Sequence, residues 1–571
     1  KMLSPLAWTL GFDLLGALIF TLTLVPVLSS ILLRKNVREK DNFFTRFVNN
    51  SVGKGFKWTF SHKKLTLAIA GACFVLTIFS TRWLGSEFLP QLNEGALWVT
   101  AELPMSTSLT ESVKLTSELR KELKKFPEVD DVLSQTGRSN DGTDPNGFYF
   151  VQFQVDLIPK TKWRKGFDID GIIKEMDTKL THYQGVVYNY SQPIIDNVAE
   201  AAAGVKASNA IKIYGNDLDK LDEYANQVIE KIQNVPGIKD VGILRNVGQP
   251  EISILLNEEK MAIYGVTKAE AQAVIEMAIG GKTATQKYEG EKKFDIRIRY
   301  DKEYRKDEND ILSLMIPTIT GNRIPLKEIA NIKQITGPAF IYRDNTKRFI
   351  GVKFSVRERD LGSTIAEAQK NVTKNIKLTN GYKIGWTGEF ENQVRAGKRL
   401  GQVVPLSLIV IFVLLFVMFG NAKDAGYVLI NVPFALIGGI LALHLTGMNF
   451  GISAGVGFIA LFGICVQNGV ILISEFHKQA KEESNLTQAI INAVKVRTRP
   501  VVMTALMAAI GLFPAAISTG IGSESQKPLA IVIIGGLVTA TLFTLLVFPI
   551  VYYKALHIRE KKKANAISSL N

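Results

Sequence analysis

The chain has 571 residues and a mass of 63.1 kDa, with 47% hydrophobic and 21% charged residues and a mean hydropathy of +0.13. These values exclude collagen, disordered linkers and small disulfide scaffolds, and predict a hybrid of membrane spans and a large water-soluble part. A formal charge of +15 with a pI near 9.4 points to nucleic acid or a membrane surface, and the positions of the basic residues decide between them. Cys73 and Cys465 lie in apolar runs, read as small core residues and say little about redox compartment.

A helix needs about 20 mostly apolar residues to cross the hydrocarbon layer. Seven stretches meet that condition: Pro5 to Leu33, Leu65 to Leu84, Leu400 to Gly420, Ala425 to Leu445, Phe450 to Ser474, Pro500 to Gly520 and Pro528 to Tyr553. Between Asp424 and Glu475 there is no Lys, Arg, Asp or Glu, a run too long for buried helices of a soluble core. Basic residues collect between the first two spans (Arg34 to Lys64), after the fifth (Lys478 to Arg499) and at the C-terminus (Lys554 to Lys563). If every span crosses, all three clusters share one side, which the retention of basic loops makes cytoplasmic. The first cluster is interleaved with Phe43, Phe44, Phe47, Phe56 and Trp58, which reads as an amphipathic helix on the inner leaflet rather than a nucleic-acid site. The segment from Gly85 to Arg399 then lies outside. The chain opens at Lys1 and runs almost directly into a span, so it is expected to be a fragment of a longer membrane protein.

The outside segment looks duplicated. Ser108 and Glu111 form a capping box that opens a helix to about Phe126; Pro127 stops it and a strand begins at Asp131. Asn216 is the predicted cap of a second helix, from Asp219 to Asn234, with a stop at Pro236 and a strand at Asp240. Phe294, Ile296 and Ile298 alternate with Asp295, Arg297 and Arg299 as a strand does. The stretch 257–332 reads as an insertion, and small split βαβ units with an inserted subdomain summarise the segment.

Several stretches stand out together: Ser4-Pro5-Leu6-Ala7, Thr23 to Leu28, Gly85-Ser86-Glu87-Phe88-Leu89-Pro90 with Glu94-Gly95, Gly457 to Gly463, Arg499 to Leu506, and Ser518 to Glu524 followed by Gln526 to Ala530. On these residues the chain resembles resistance-nodulation-division transporters, more closely their heavy-metal efflux branch, the Czc and Cus type inner-membrane pumps. The likeness covers essentially the whole chain. The resemblance implies the C-terminal half of a twelve-span pump: a membrane α-helical part with seven spans present, plus an α+β periplasmic porter of ferredoxin-like split βαβ modules with an inserted docking subdomain. The corresponding domains are 1–84 (two spans, with a basic cytoplasmic linker at 34–64), 85–190 (first porter module), 191–256 and 333–399 (second module), 257–332 (docking), 400–553 (five spans) and 554–571 (basic tail). It also implies the bacterial inner membrane, a homotrimer, a missing N-terminal half, a periplasmic adaptor and an outer-membrane channel, with proton as coupling ion, a metal cation as cargo and no cofactor.

Within the spans, Gln467, Asn468, Arg499 and Thr504 are polar groups that need a reason. By resemblance they line a proton relay; from the residues alone they serve equally as glue between helices, with Gly451 and Gly455 as a small-residue contact. Asp13 reads as interfacial, and the relay carboxylates are expected in the missing half. In the cleft, copper and silver members of the family use methionines, two of whose positions fall near Thr100 and Glu200, neither of them Met. Glu102, Asp196 and Glu200 are therefore the candidate oxygen ligands for a divalent ion of the zinc, cobalt, nickel or cadmium kind, rather than Cu(I) or Ag(I). Lys206 and Arg245 are candidate partners that a cation would displace. Two alternatives stay open: a multidrug exporter of the same superfamily, and a truncated, non-transporting module that docks an adaptor. No phosphate-cradling loop, activated nucleophile or zinc spacing supports an enzyme.

Overall fold

The computed structural model describes residues 4–32, 43–88, 90, 93–138, 146–204, 207–244, 247–338, 341–483 and 485–568. Lys206 and Arg245 lie outside the described residues. Apolar runs set where helices form, and prolines set where they break. The first predicted span is two helices, α1 (Ser4–Leu22) and α2 (Leu24–Leu32), bent by 42°. Pro26 has no N–H for the carbonyl of Leu22, four residues back, and its ring presses on that carbonyl. The Thr23 hydroxyl donates to the Ile19 carbonyl at 2.7 Å beside the break. Helices α3 (Phe43–Ser61) and α4 (Lys63–Ser80) follow.

The first sheet is built by β1 (Ala96–Glu102), α5 (Leu109–Leu123), β2 (Val129–Thr136), β3 (Phe150–Leu157), α6 (Ile169–Leu180) and β4 (Val187–Ser191). Its strands are antiparallel in the order β2-β3-β1-β4. Alternation on β1 sends Leu97, Val99 and Ala101 into a core with Leu119, Leu123 and Phe153, all essentially inaccessible. Ser108 caps α5, its hydroxyl accepting from the Glu111 amide at 3.4 Å.

After α7 (Pro193–Ala203) come β5 (Asn209–Tyr214), α8 (Leu218–Ile232), β6 (Ile238–Leu244) and β7 (Val247–Leu256). The chain then passes through α9 (Glu258–Tyr264), α10 (Lys268–Ile275), the hairpin β8 (Lys282–Glu289) and β9 (Lys292–Ile298), α11 (Glu308–Leu312), β10 (Met315–Pro317) and β11 (Arg323–Pro325). It returns on β12 (Ala330–Pro338), antiparallel to β7, and adds β13 (Arg343–Asp344), β14 (Lys347–Val356), α12 (Leu361–Asn375) and β15 (Lys383–Gly388). The second sheet runs β6-β14-β5-β15, with β13 also on β14. Counting strands within each unit, both sheets have the same order, fourth-first-third-second.

Two local expectations need correction. The cap of α8 is Asp217, not Asn216: its carboxylate accepts from the amides of Asp219 and Lys220 at 3.0 and 3.1 Å, a stronger acceptor for free helix N–H groups. The Phe294, Ile296 and Ile298 strand exists, but these side chains are 48–53% exposed, because among the described residues β8 and β9 pair only with each other and no second layer covers them.

The C-terminal bundle consists of α13 (Glu389–Phe419), α14 (Ala422–Leu429), α15 (Asn431–Thr446), α16 (Ile452–Glu482), α17 (Leu486–Ile517), α18 (Lys527–Leu542) and α19 (Phe548–Ser568). Pro433 breaks α14 from α15 next to Leu429, as Pro26 does at Leu22. At Pro549 the lost donor is absorbed by a π-helical turn, Phe543–Val547. The sixth predicted span starts at Leu486 instead of Pro500, and Pro500 and Pro514 sit inside that helix. Among the described residues, 6 helical stretches are long and apolar enough to cross a membrane, or 7 if the bent α1 and α2 pair is one span. Helices α15 and α18 approach closely, since a Cβ on Gly438 would meet the Gly535 carbonyl at 2.0 Å. The small-residue contact is therefore there and not at Gly451 and Gly455: Gly451 precedes α16, and Gly455 faces Leu400.

Candidate functional site

The two sheets meet along β14. Ile350, Val352 and Phe354 point into the core of their own unit, so Lys353, Ser355 and, just past the strand end, Arg357 emerge on the opposite face. Lys353 is ion-paired with Glu102 on β1, across the two units. Asn189 Nδ2 on β4 approaches Ser355 Oγ at 3.4 Å. Arg357 grips Asp240 in bidentate fashion at 2.6 and 2.7 Å, and the Tyr190 amide of the first unit donates to the same carboxylate at 3.4 Å. The facing side of the first sheet is a polar row: Gln152, Thr100 and Asn189 are register neighbours on β3, β1 and β4, each less than a tenth exposed. Around Arg357, α6 adds Asp170 and Asp177. Burial raises both carboxyls above the usual aspartate range; repulsion from Asp168 adds to the first and from Asp240 to the second.

At the Glu102 end the units enclose a cavity of about 440 Å³, lined by Glu102, Met105, Asn146, Tyr149, Val187 and Leu244 among others. At the other end sits α7. Its first turn is held by Glu94, whose carboxylate accepts from the amides of Ile194 and Ile195 at 2.7 and 3.1 Å, while the Glu94 amide donates to Gln192 Oε1 at 2.7 Å. Asp196 on this helix is buried and Glu200, one turn on, is half-buried.

Glu102, Asp196 and Glu200 do not form one site. In the β1–β4 register Glu102 opposes Val187, and Trp98 opposes Ser191, from which the chain enters α7. At about 3.3 Å per residue this separates Glu102 from the α7 end by about 13 Å or more. Among the described residues no group of three or more His, Cys, Asp and Glu is placed to hold a metal ion. Lys353 is the cleft residue that the sequence reading missed. The alternation Lys353, Ser355, Arg357 in an apolar strand was its available signal.

In the bundle, Gln467 and Asn468 diverge. Asn468 is 1% exposed, and neither end of its amide has a hydrogen-bond partner among the described residues. Gln467 points outward from α16, as do Ala460 and Gly463. Thr504 Oγ1 donates to the Pro500 carbonyl at 2.8 Å, within its own helix, and Arg499 is exposed on α17. The structure thus places these four residues on α16 and α17 without hydrogen bonds between them. Two polar groupings went unread in the sequence. Arg497 pairs with buried Glu475 at 2.6 Å, and His477 Nε2 lies 2.8 Å from the Tyr552 hydroxyl and 3.6 Å from Asp424.

Sheets and bundle are joined at Gly85 to Phe88. Phe450, between α15 and α16, donates to the Gly85 carbonyl at 2.7 Å and accepts from the Glu87 amide at 3.1 Å. The Ser86 amide donates to Asp360 Oδ2 at the head of α12 at 3.1 Å. Asn449 Nδ2 donates to the Glu87 carboxylate at 3.1 Å, and burial raises the Glu87 carboxyl above the usual glutamate range.

Fold and site together define a class: an apolar helical bundle tied to a pair of topologically equivalent split βαβ units with a polar cleft between them. Residues 1–556 match the model of the AcrB/AcrD/AcrF family, and the chain belongs to that family, one of transporters rather than enzymes. It is 36% identical over 562 residues to the cation efflux system protein CzcA of Alcaligenes sp. (strain CT14), covering 97% of this chain and 53% of that protein. It is 30% identical over 565 residues to the cation efflux system protein CusA of Escherichia coli (strain K12), covering 97% and 54%. A crystal structure of a heavy metal efflux pump superposes with a TM-score of 0.86 at 33% identity, covering 96% of this chain and 55% of that one. The chain thus spans about half the length of the relatives it matches.

Proposed function

We propose that the chain is the C-terminal half of a proton-driven efflux pump for heavy-metal cations, with the sheets on the periplasmic side of a bacterial inner membrane. The observation that carries this reading is the chemistry between the sheets. Their facing surfaces are polar and charged, with Glu102 held by Lys353 across the gap, where an exporter of apolar drugs would need an aromatic, apolar pocket. The relatives named for cation efflux support the same substrate class. Thr100 and Glu200 in place of Met favour oxygen ligation of a divalent ion of the zinc, cobalt, nickel or cadmium kind over Cu(I) or Ag(I). Because Glu102 stands apart from Asp196 and Glu200, the carboxylates act as successive stations along the cleft rather than one coordination sphere.

Gln467, Asn468, Arg499 and Thr504 are the span residues assigned to the relay, whose carboxylates come from the N-terminal half. The remaining partners are two further copies in a homotrimer, a periplasmic adaptor and an outer-membrane channel, with the exposed β8–β9 hairpin on the docking part. The test is metal tolerance of a sensitive host expressing the complete pump. Glu102→Gln and Glu200→Ala should each reduce tolerance to the exported divalent ion; unchanged tolerance in both at equal expression would remove the carboxylates from the path.

A further inference from the structure

Helix α3 has two faces with different fates. On the inner face Phe56 and Thr59 are 3% and 7% exposed, and the Thr59 hydroxyl donates to the Leu546 carbonyl at 3.1 Å, fixing the helix to the π turn before α19. On the outer face Phe43, Phe47 and Trp58 are 88%, 60% and 50% exposed. Arg46, Lys54 and Lys57 are exposed among them. The spacing 43, 47, 54, 58 keeps the aromatics and Lys54 on one stripe, with Arg46 and Lys57 along its edge. From Phe43 to Lys64 there is no Asp or Glu, and none of these three basic residues has a carboxylate within salt-bridge distance among the described residues.

The position of this face is set by its neighbours. Helix α4 begins at Lys63 and leads to the sheets at its other end, so α3 lies at the end of the bundle away from them. There the Lys63 ammonium sits over the rings of Phe60 and Tyr553, 4.0 and 3.6 Å from their centres, tying the foot of α3 to α19.

We propose that the outer face of α3 binds the headgroups of anionic phospholipids in the adjacent leaflet. Its composition selects this occupant. Aromatic rings at the level of headgroups are stable where they would be costly in open water, and Lys and Arg among them meet lipid phosphates. A second copy of the chain is a poor match, because a two-fold contact would set one acid-free basic stripe against another. The face thus anchors the linker between α2 and α4 in a way that depends on lipid charge.

The test is hydrogen exchange of the full chain in nanodiscs of pure phosphatidylcholine and of an equal mixture with phosphatidylglycerol. Amides of residues 43–58 should exchange about tenfold or more slowly in the anionic discs, given the attraction of each basic residue to an anionic surface. The difference should vanish in wild type at about 0.5 M salt, and at low salt in the triple variant Arg46→Gln, Lys54→Gln, Lys57→Gln. Unchanged exchange in α16 shows that the variant is folded, and the salt arm needs no variant. Equal exchange in both lipids, a difference that survives both salt and the triple variant, or protection that follows protein density instead of lipid charge would overturn the proposal.

Discussion

The two βαβ units have the same strand order and the same kind of core, yet they present opposite chemistry to each other. The first offers Glu102, Thr100, Gln152 and Asn189 from one face of its sheet; the second offers Lys353, Ser355 and Arg357 from one side of a single strand. Equivalent topology therefore does not make equivalent surfaces. Every second residue of a strand is free of the core, and those positions alone give one unit a carboxylate and the other the ammonium that pairs with it. A cleft built this way is polar by construction, while each unit keeps an apolar interior on the far side of its sheet.

The two units would differ most visibly if their cores were not equivalent. Phe153→Ala in the first unit and Phe354→Ala in the second, both fully buried, should each lower stability by about 3–5 kcal/mol, read by thermal denaturation of the chain in detergent. A large loss in one unit and none in the other would show that only one has a load-carrying core. Next is the ion pair. Lys353→Met alone leaves Glu102 without its partner and should cost about 3 kcal/mol, whereas Lys353→Met with Glu102→Leu should recover most of it. Failure of the double variant to recover would mean that the pair does more than neutralise a buried charge.

The helix caps sharpen the comparison at a smaller scale. Ser108→Ala and Asp217→Ala remove corresponding caps of α5 and α8 and should each cost about 1 kcal/mol, Asp217 more because it serves two amides. The smallest effect is one of pH. The Asp177 carboxyl is raised by burial and by Asp240, so its ionised form is disfavoured in the folded chain. The penalty is full above the raised folded value and fades as pH falls through it toward the ordinary aspartate range. Asp177→Asn should therefore raise the melting temperature at pH 7, with the gain shrinking toward pH 4; a gain that grows on acidification would reverse the assignment.

Much of this architecture was legible in the residues. Apolar runs of sufficient length gave the helices, Ser108 and Pro127 gave the limits of α5, and repetition at Pro236 and Asp240 gave the second unit. Breaks four residues before Pro26 and Pro433 were legible in principle, since both follow from a missing donor. The site was less so. Lys353 and Glu102 are 251 positions apart, and no local pattern encodes which strand faces which across a gap. Glu102, Asp196 and Glu200 looked like one set because each is acidic and near the cleft in sequence, but the β1–β4 register carries them to opposite ends. The polar residues of α16 were visible as oddities in an apolar span; that Asn468 turns inward and Gln467 outward depends on helix rotation, which packing sets.

Under the proposed function, a proton gradient drives metal through the cleft between the two sheets. The most direct measurement is flux in liposomes holding the complete pump, with a metal-sensitive dye on one side and an imposed pH gradient. The account predicts movement of Zn(II), Co(II), Ni(II) or Cd(II) that stops when a protonophore collapses the gradient and falls in Glu102→Gln. Metal flux indifferent to the gradient, or no metal flux in pumps that still move apolar drugs, would contradict it.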